Sequence, residues 1–379
     1  MPERTGSTST IYGAKKILII RYRFLGDTIL SVPFLRNLRR VAPQAKIDML
    51  VGPVSGKVLC GCPYVDEFIE YDTTRFHKYD SGAGKTKSFW SYVFQLRKNH
   101  YDTVFVLKRS LSSAFLAYAT GAASRIGYIK KTDDNRAIPF LHKGIAQEFL
   151  LSHKALYDEK IHEVDSVLSV LRAAGIEPED DYLEAWISEE ETRNVRAKVP
   201  ELKAAAGKVL IHAAAAHPDK MYPLEAWAQI IARLDREYGL TPYFTGDRMD
   251  RAAYQRLAAL SGVKSVNMAG ELNVRESMAL YKEMDLAICV DSGPAHLSCA
   301  VGVPTVTIFG PTDPVRWQPR GALTKSVFDE TLVCRPCHYK KSCGDERQCL
   351  TALSPDKILD AAKQLLTRRL AATQANGSK

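Results

Sequence analysis

Asp291-Ser-Gly-Pro-Ala-His296 follows the apolar run Leu286–Val290 and precedes a helix-like stretch. The segment puts a carboxylate, a hydroxyl, a glycine and an imidazole at the exit of a buried strand, where open α/β sheets hold ligands. There Asp291 can accept sugar hydroxyls, while Ser292 and the amides that follow, that of Gly293 included, can reach phosphate. His296 can donate to an oxygen. A protonated imidazole would oppose the positive helix end, so a neutral His296 is expected. A second junction of this kind lies about 260 residues upstream, where Ile17–Ile20 reads as buried strand and Leu25-Gly26-Asp27 leads into a helix. A carboxylate at a helix start is ordinarily a cap. Gly26, without a Cβ, lets another molecule approach the turn, and Asp27 can then take the proton of an acceptor hydroxyl as general base. Arg21 and Arg23 are candidates for binding anionic groups on the same acceptor. Two such junctions suggest two half-sites facing one cleft.

Three further turns suit the second half-site. Leu210–Ala216 passes from strand into a turn of small residues, and Lys220 just beyond offers a mobile cation for a diphosphate. Met268-Ala-Gly270 can border a base or sugar, Gly270 giving clearance, and the sharp turn Phe309-Gly-Pro-Thr-Asp313 brings Thr312 toward a ligand. Capping, turn formation and packing are the ordinary alternatives for each. The spacing Cys334-x2-Cys337-x5-Cys343-x5-Cys349 permits a structural zinc, and equally disulfides or an unmetallated loop. It supplies no open ligand position for a catalytic metal.

The elements that must position these groups alternate along the chain. In the first half Ile17–Ile20, Ile47–Val51, Phe68–Tyr71, Thr103–Leu107 and Arg125–Tyr128 read as strands, with helices over 28–40, 88–99, 111–120 and 161–174. Strands at 208–213, 241–245, 264–267, 286–290 and 304–308 then alternate with helices near 224–238, 250–260, 273–283 and 295–301. Such order predicts parallel sheets covered by helices, and 379 residues exceed what one core usually serves. The expected organisation is an N-terminal arm over 1–14, a first domain over 15–175, a connection over 176–205 and a second domain over 206–354 that includes the cysteine loop 334–349. A packing helix over 355–370 and a flexible tail over 371–379 complete it.

Charge is uneven: residues 1–175 hold 26 Lys plus Arg against 16 Asp plus Glu, and residues 176–379 hold 26 against 27. The first half therefore suits an anionic partner. No recognition helix or aromatic-rich single-strand segment supports nucleic acid, and an anionic lipid or sugar phosphate at a membrane face fits the charge equally well. Neither half carries GxGxxG, which argues against a dinucleotide enzyme. No apolar run approaches the roughly 18 residues that span a bilayer, and residues 1–16 lack the apolar centre of a secretory signal. A cytoplasmic protein is expected, with peripheral contact at the inner membrane face.

Arg23-Phe-Leu-Gly-Asp27, Arg125-Ile-Gly-Tyr128, Asp291-Ser-Gly-Pro-Ala-His-Leu297, Phe309-Gly-Pro-Thr312 and the late cysteine loop together resemble the ADP-heptose:lipopolysaccharide heptosyltransferases, glycosyltransferase family 9. The likeness runs from about residue 15 to about residue 370. It implies the GT-B architecture, an α/β fold of two facing Rossmann-like domains with mostly parallel sheets. It further implies inverting transfer of heptose from ADP-heptose to a lipopolysaccharide inner core or another lipid-linked anionic acceptor, without a catalytic metal or other cofactor. By the same match Asp27 is the base, Lys220 contacts the diphosphate, and Asp291 and His296 hold the donor. The chain departs from the family pattern at Ala213–Ala216, where hydroxyl or glycine residues are usual, and at Tyr222, where tryptophan is expected. A related transferase using another nucleotide sugar and a non-catalytic sugar-binding protein are the alternatives.

Overall fold

Two aliphatic runs, Ile17–Ile20 and Leu286–Val290, are fully buried and form central strands of two separate sheets. The computed structural model describes residues 11, 13–72, 88–130, 143–203, 207–339, 343 and 346–377. It divides into a unit over Met1–Tyr182 and a unit over Leu183–Lys379.

In the first unit β1 (Lys16–Ile20), β2 (Lys46–Val51), β3 (Glu67–Glu70), β4 (Thr103–Val106), β5 (Ser124–Lys130) and β6 (His153–Tyr157) lie in the order β3-β2-β1-β4-β5-β6. In the second, β7 (Gly207–His212), β8 (Leu240–Phe244), β9 (Val266–Asn267), β10 (Leu286–Val290), β11 (Thr305–Ile308) and β12 (Thr324–Val327) lie in the order β12-β11-β10-β7-β8-β9. Every pairing in both sheets is parallel. The order reverses beside β1 and β7, so each unit has its switch point, and its crevice, beyond the C-terminal end of its first strand. These are two Rossmann-like α/β units, the GT-B class expected from the sequence.

Local departures from the sequence reading have physical causes. The helix expected over 28–40 is two helices, Leu25–Ile29 and Val32–Val41. Pro33 has no N–H to donate and its ring crowds the carbonyl four residues back, so one continuous helix is excluded. The strands β6 and β12 escaped notice because each is an edge strand with one buried residue, Ala155 and Val327 respectively. The last helix runs Pro355–Gly377 rather than stopping at Leu370, since no helix breaker precedes Gly377. Ile358, Leu359, Ala362 and Leu365 bury its inner face in the second unit's core.

The unit boundary falls within the connection read over 176–205. Asp180 and Tyr182 are bound by Arg36 on helix Val32–Val41, so residues up to Tyr182 go with the first unit. Beyond it, helix Glu189–Lys198 opens with a capping box between Ser188 and Glu191. Glu191 is gripped by Arg275 through two bonds of 2.7 Å, and that contact pulls the Glu191 carboxyl down to about 2 from an ordinary 4.5. A depressed carboxyl stabilises the fold fully above its unfolded pKa and loses that contribution as the pH falls through the folded one. Glu191→Gln should therefore cost the second unit about 1–2 kcal/mol at neutral pH. Denaturant titrations should show the gap from the parent protein narrowing between pH 4.5 and pH 2.

Candidate functional site

In the first unit the chain leaves β1 through Arg21-Tyr22-Arg23-Phe24 and enters helix Leu25–Ile29. Asp27 is its third residue and turns back to accept the Phe24 N–H at 3.4 Å, while Gly26 is its second. Arg21 lies buried behind this turn. Its guanidinium donates to the Leu107 carbonyl, binds Glu163 at 2.9 Å and stands 3.7 Å from Asp27. The structure thus commits Arg21 to internal partners and places it to orient Asp27, whereas sequence spacing suggested an anion ligand. Arg23 stays partly exposed, its guanidinium over the Phe24 ring at 5.0 Å.

These placements set the charge states. Burial raises the Asp27 pKa and Glu163 adds to the rise, with Arg21 opposing. About a quarter of the Asp27 side chain, 24%, remains accessible, enough to meet a hydroxyl. Burial also works against the Arg21 charge, but Asp27 and Glu163 outweigh it, so the guanidinium stays protonated. Glu163 starts helix Glu163–Ala173 and reads in sequence as an ordinary first-turn acid; nothing local links it to Arg21. Tyr22 and Lys108 also escaped notice. The Lys108 ammonium lies 4.1 Å from the centre of the Tyr22 ring, and the Tyr22 hydroxyl bonds Ser112 and Ser113 at 3.3 and 3.0 Å. Burial lowers the Lys108 pKa, and Arg23 and Arg21 lower it further.

In the second unit β10 lies between β7 and β11, which brings the loops after all three together. Their meeting point is Asp291, 5% exposed. Lys220, from the short turn Pro218–Lys220, donates to its carboxylate at 2.7 Å and to its carbonyl at 3.1 Å. Thr312, from the loop after β11, donates to the same carboxylate oxygen at 2.5 Å. Burial opposes the Lys220 charge, yet Asp291 and Tyr339 lift its pKa above the ordinary lysine value. Ser292 caps helix Gly293–Ala300 by backbone geometry while its hydroxyl donates back to Val290 at 3.1 Å. Gly293 is the first residue of that helix, and His296 is buried in it.

Gly270 has another reason to be glycine than clearance for a ligand. Its φ is +76° and a Cβ would come within 2.7 Å of the Arg248 backbone. The small-residue turn rests on a polar floor: Ala213 donates to the Tyr254 hydroxyl at 3.0 Å, and Tyr254 donates to the Thr245 carbonyl at 3.0 Å. His212 beneath it is pushed down to about 4 by burial and is neutral at physiological pH. Alongside the turn is a cavity of about 330 Å³, bordered by Ala213, Ala214, Tyr222, Asp250 and Arg347.

The cysteine loop contributes residues that spacing alone did not reveal. Arg335 donates to the carbonyls of Gly310 at 2.5 Å and Thr312 at 3.3 Å, and the His338 amide donates to the Pro311 carbonyl at 3.0 Å. Tyr339 then stacks on His217 with centroids 4.0 Å apart and lies against Lys220. His338 and Tyr339 both have positive φ, 48° and 63°, a conformation that non-glycine residues keep only when their surroundings fix it. Among the described residues no group of three His, Cys, Asp or Glu is placed to hold a metal ion.

With this geometry in hand, the family model described as glycosyltransferase family 9 (heptosyltransferase) matches residues 89–346. Lipopolysaccharide heptosyltransferase 3 of Escherichia coli is 27% identical over 306 residues, covering 78% of this chain and 83% of its own. A glycosyl transferase family 9 structure from Veillonella parvula superposes with a TM-score of 0.79 at 22% identity, covering 96% of this chain and all of that one. The E. coli ADP-heptose lps heptosyltransferase II gives a TM-score of 0.71 at 21% identity over 93% of this chain and 99% of that one. At these identities the two structural matches are likenesses of fold.

Removing one partner from a buried ion pair strands the other charge. Lys220 keeps 20% exposure, which softens the penalty, so Lys220→Met should destabilise the second unit by about 2–3 kcal/mol. Adding Asp291→Asn should restore part of that loss, because no unpaired charge then remains; urea unfolding followed by tryptophan fluorescence measures both. A double variant no more stable than Lys220→Met would show that the stranded Asp291 charge is not what destabilises the unit.

Proposed function

The chain belongs to glycosyltransferase family 9, the heptosyltransferase family, and is a glycosyltransferase; from that premise we propose that it transfers heptose from ADP-heptose to a lipopolysaccharide inner core or another lipid-linked anionic acceptor, with inversion at the anomeric carbon. In this reading an acceptor hydroxyl attacks that carbon and its proton passes to Asp27. The bond from the carbon to the diphosphate breaks, and ADP departs with the electron pair. Lys220 and the amides at the start of helix Gly293–Ala300 stabilise the charge that builds on the leaving oxygen. Thr312 keeps the Asp291 carboxylate in place, and Asp291 and His296 hold the donor.

The observation that carries the proposal is the setting of Asp27: a carboxylate on the turn after β1, partly open to solvent, with a raised pKa and a buried arginine behind it. A general base works best when its pKa approaches the working pH without passing it. Burial moves Asp27 in that direction, and Arg21 opposes the shift. In this reading the protein works at the inner membrane face, where a lipid-linked acceptor is presented, and meets that face peripherally. No helix of the described residues is long and apolar enough to cross a membrane.

One specific feature favours keeping a second donor in view. Ala213–Ala216 brings no side-chain donor to the phosphate turn, and the Ala213 amide is already taken by Tyr254. A transferase of the same mechanism using another nucleotide sugar fits that turn, and product analysis over a panel of nucleotide sugars separates the two.

Asp27→Asn should lower kcat by about 10²–10⁴-fold while leaving ADP-heptose affinity near that of the parent. The parent rate should fall on acidification as Asp27 takes up a proton, starting at a higher pH than an ordinary aspartate would give, because its pKa is raised. That acid limb should vanish in the Asn variant. Near-normal transfer by Asp27→Asn would remove the residue from the base role.

A further inference from the structure

On the first unit, helices Phe89–Lys98 and Leu111–Ala119 leave large rings in solvent. Trp90 is 58% exposed, Phe94 64%, Tyr118 53% and Leu111 39%. They belong to one surface. Trp90 and Phe94 are four residues apart on one helix face, and the Trp90 ring meets Phe115 of the second helix edge-on with centroids 6.4 Å apart. Phe115 in turn shares its face with Leu111 and Tyr118. Exposed apolar side chains scattered singly need no explanation, whereas a joined patch of rings marks a place where something docks.

Cations predominate around this patch; the neighbouring helix Lys143–Leu150 brings one acid, Glu148, which pairs with Lys154 at 3.7 Å. From Ser81 to Thr132 the sequence holds nine Lys or Arg residues and a single acid, Asp102. The Asp102 carboxylate is already committed to the Lys15 and Lys16 amides at 2.7 and 2.8 Å. Arg97 and Lys98 end the first helix, Lys108 and Arg109 precede the second, and the Arg125 guanidinium lies 5.5 Å from the Tyr118 ring centre. Of these, Arg109 has an acidic neighbour in Glu159 at 3.4 Å. Tryptophan and tyrosine rings settle at the headgroup level of a bilayer, and long basic side chains reach from there to anionic headgroups. Rings and cations on one face, with the nearby acids Asp102, Glu148 and Glu159 already paired, complement a negatively charged lipid surface.

Position gives the patch a purpose. Helix Leu111–Ala119 begins at the serines that bond Tyr22, which lies two residues beyond β1 and five before Asp27. We propose that this aromatic and basic face seats the first unit on an anionic lipid bilayer, beside the turn that carries Asp27. Its purpose, presenting a lipid-linked acceptor to Asp27, rests on the function proposed above; the docking itself does not.

The test is flotation of the full chain with vesicles of phosphatidylethanolamine and phosphatidylglycerol, and with phosphatidylcholine alone. Binding to the anionic vesicles is expected, weakening as salt rises. Trp90→Ser with Phe94→Ser, and separately Arg97→Gln with Lys98→Gln, should each lower partitioning by about tenfold or more. Transfer to a delipidated, soluble acceptor oligosaccharide should be unchanged in both, with far-ultraviolet circular dichroism melts confirming that they fold. Failure of the parent to bind anionic vesicles, or variants that bind as well as the parent, would overturn the proposal. So would light scattering that shows a self-associated parent and monomeric variants, since the face would then join two copies. Vesicle binding through this face with no transfer to any acceptor would keep the docking and defeat the functional reading instead.

Discussion

A carboxylate at the end of a central strand cannot be left alone once its surroundings exclude water. Asp291 is that carboxylate in the second unit, and the loops around it are arranged to satisfy it. Desolvating a lone carboxylate would cost several kcal/mol, more than most single contacts return, so Lys220 and Thr312 converge on one of its oxygens. Each comes from a different loop, and the carboxylate therefore sets how the turns after β7 and β11 sit relative to β10. The cysteine loop is tied to the same point at one remove, because Arg335 and His338 hold the Gly310–Thr312 turn and Tyr339 closes on Lys220 and His217. Four segments distant in sequence thus depend on a single buried charge.

The first unit meets the same constraint with the sign reversed. Arg21 is the buried hub, and its partners are a backbone carbonyl and two carboxylates of unequal status. Glu163 sits in full contact at 2.9 Å, whereas Asp27 stands off at 3.7 Å. Both acids support the arginine's charge, and only Glu163 adds a direct hydrogen bond to it. Burial can then raise the Asp27 pKa instead of being cancelled. Had Arg21 made its closer bond to Asp27, the carboxylate would have been held down as Glu191 is held by Arg275, a good ion pair and a poor base.

Strand-to-helix alternation and the residues at strand exits were legible in the sequence, since burial on both faces of a parallel sheet leaves unbroken aliphatic runs such as Leu286–Val290. The edge strands β6 and β12 were not, because they bury too little to leave that signature. The positions of Asp27, Lys220, Asp291 and Thr312 at strand exits could be read; their partners could not. Glu163 is 142 residues from Arg21, and Tyr339 reaches Lys220 only because a loop doubles back with two residues in a left-handed backbone conformation. Local sequence reports what a residue can do, and topology alone decides whom it meets. Arg21 shows the difference most clearly: beside Arg23 it reads as a surface cation, yet the inward-facing register of the residue after β1 buries it.

The floor of the phosphate turn sharpens what must come from Lys220. His212 lies under Ala213–Ala216, where a protonated imidazole would otherwise be a natural source of positive charge. Burial holds it near 4, and Thr245 joins it to the Tyr281 hydroxyl through contacts of 3.5 and 3.2 Å. That network is neutral and offers rigidity without charge. The alanines above it add no donors, and Tyr254 has already taken the Ala213 amide. On the function proposed above, a diphosphate drawn to this turn would meet full positive charge on Arg347, which borders the cavity, and on Lys220, which in the structure is shared with Asp291. Bringing in the ligand means redistributing the three hydrogens of one ammonium among Asp291, Tyr339 and phosphate oxygens. Because Asp291 keeps Thr312 as a second donor, the lysine can turn toward phosphate without leaving the carboxylate bare, and the loops that Asp291 holds together need not come apart when the donor arrives.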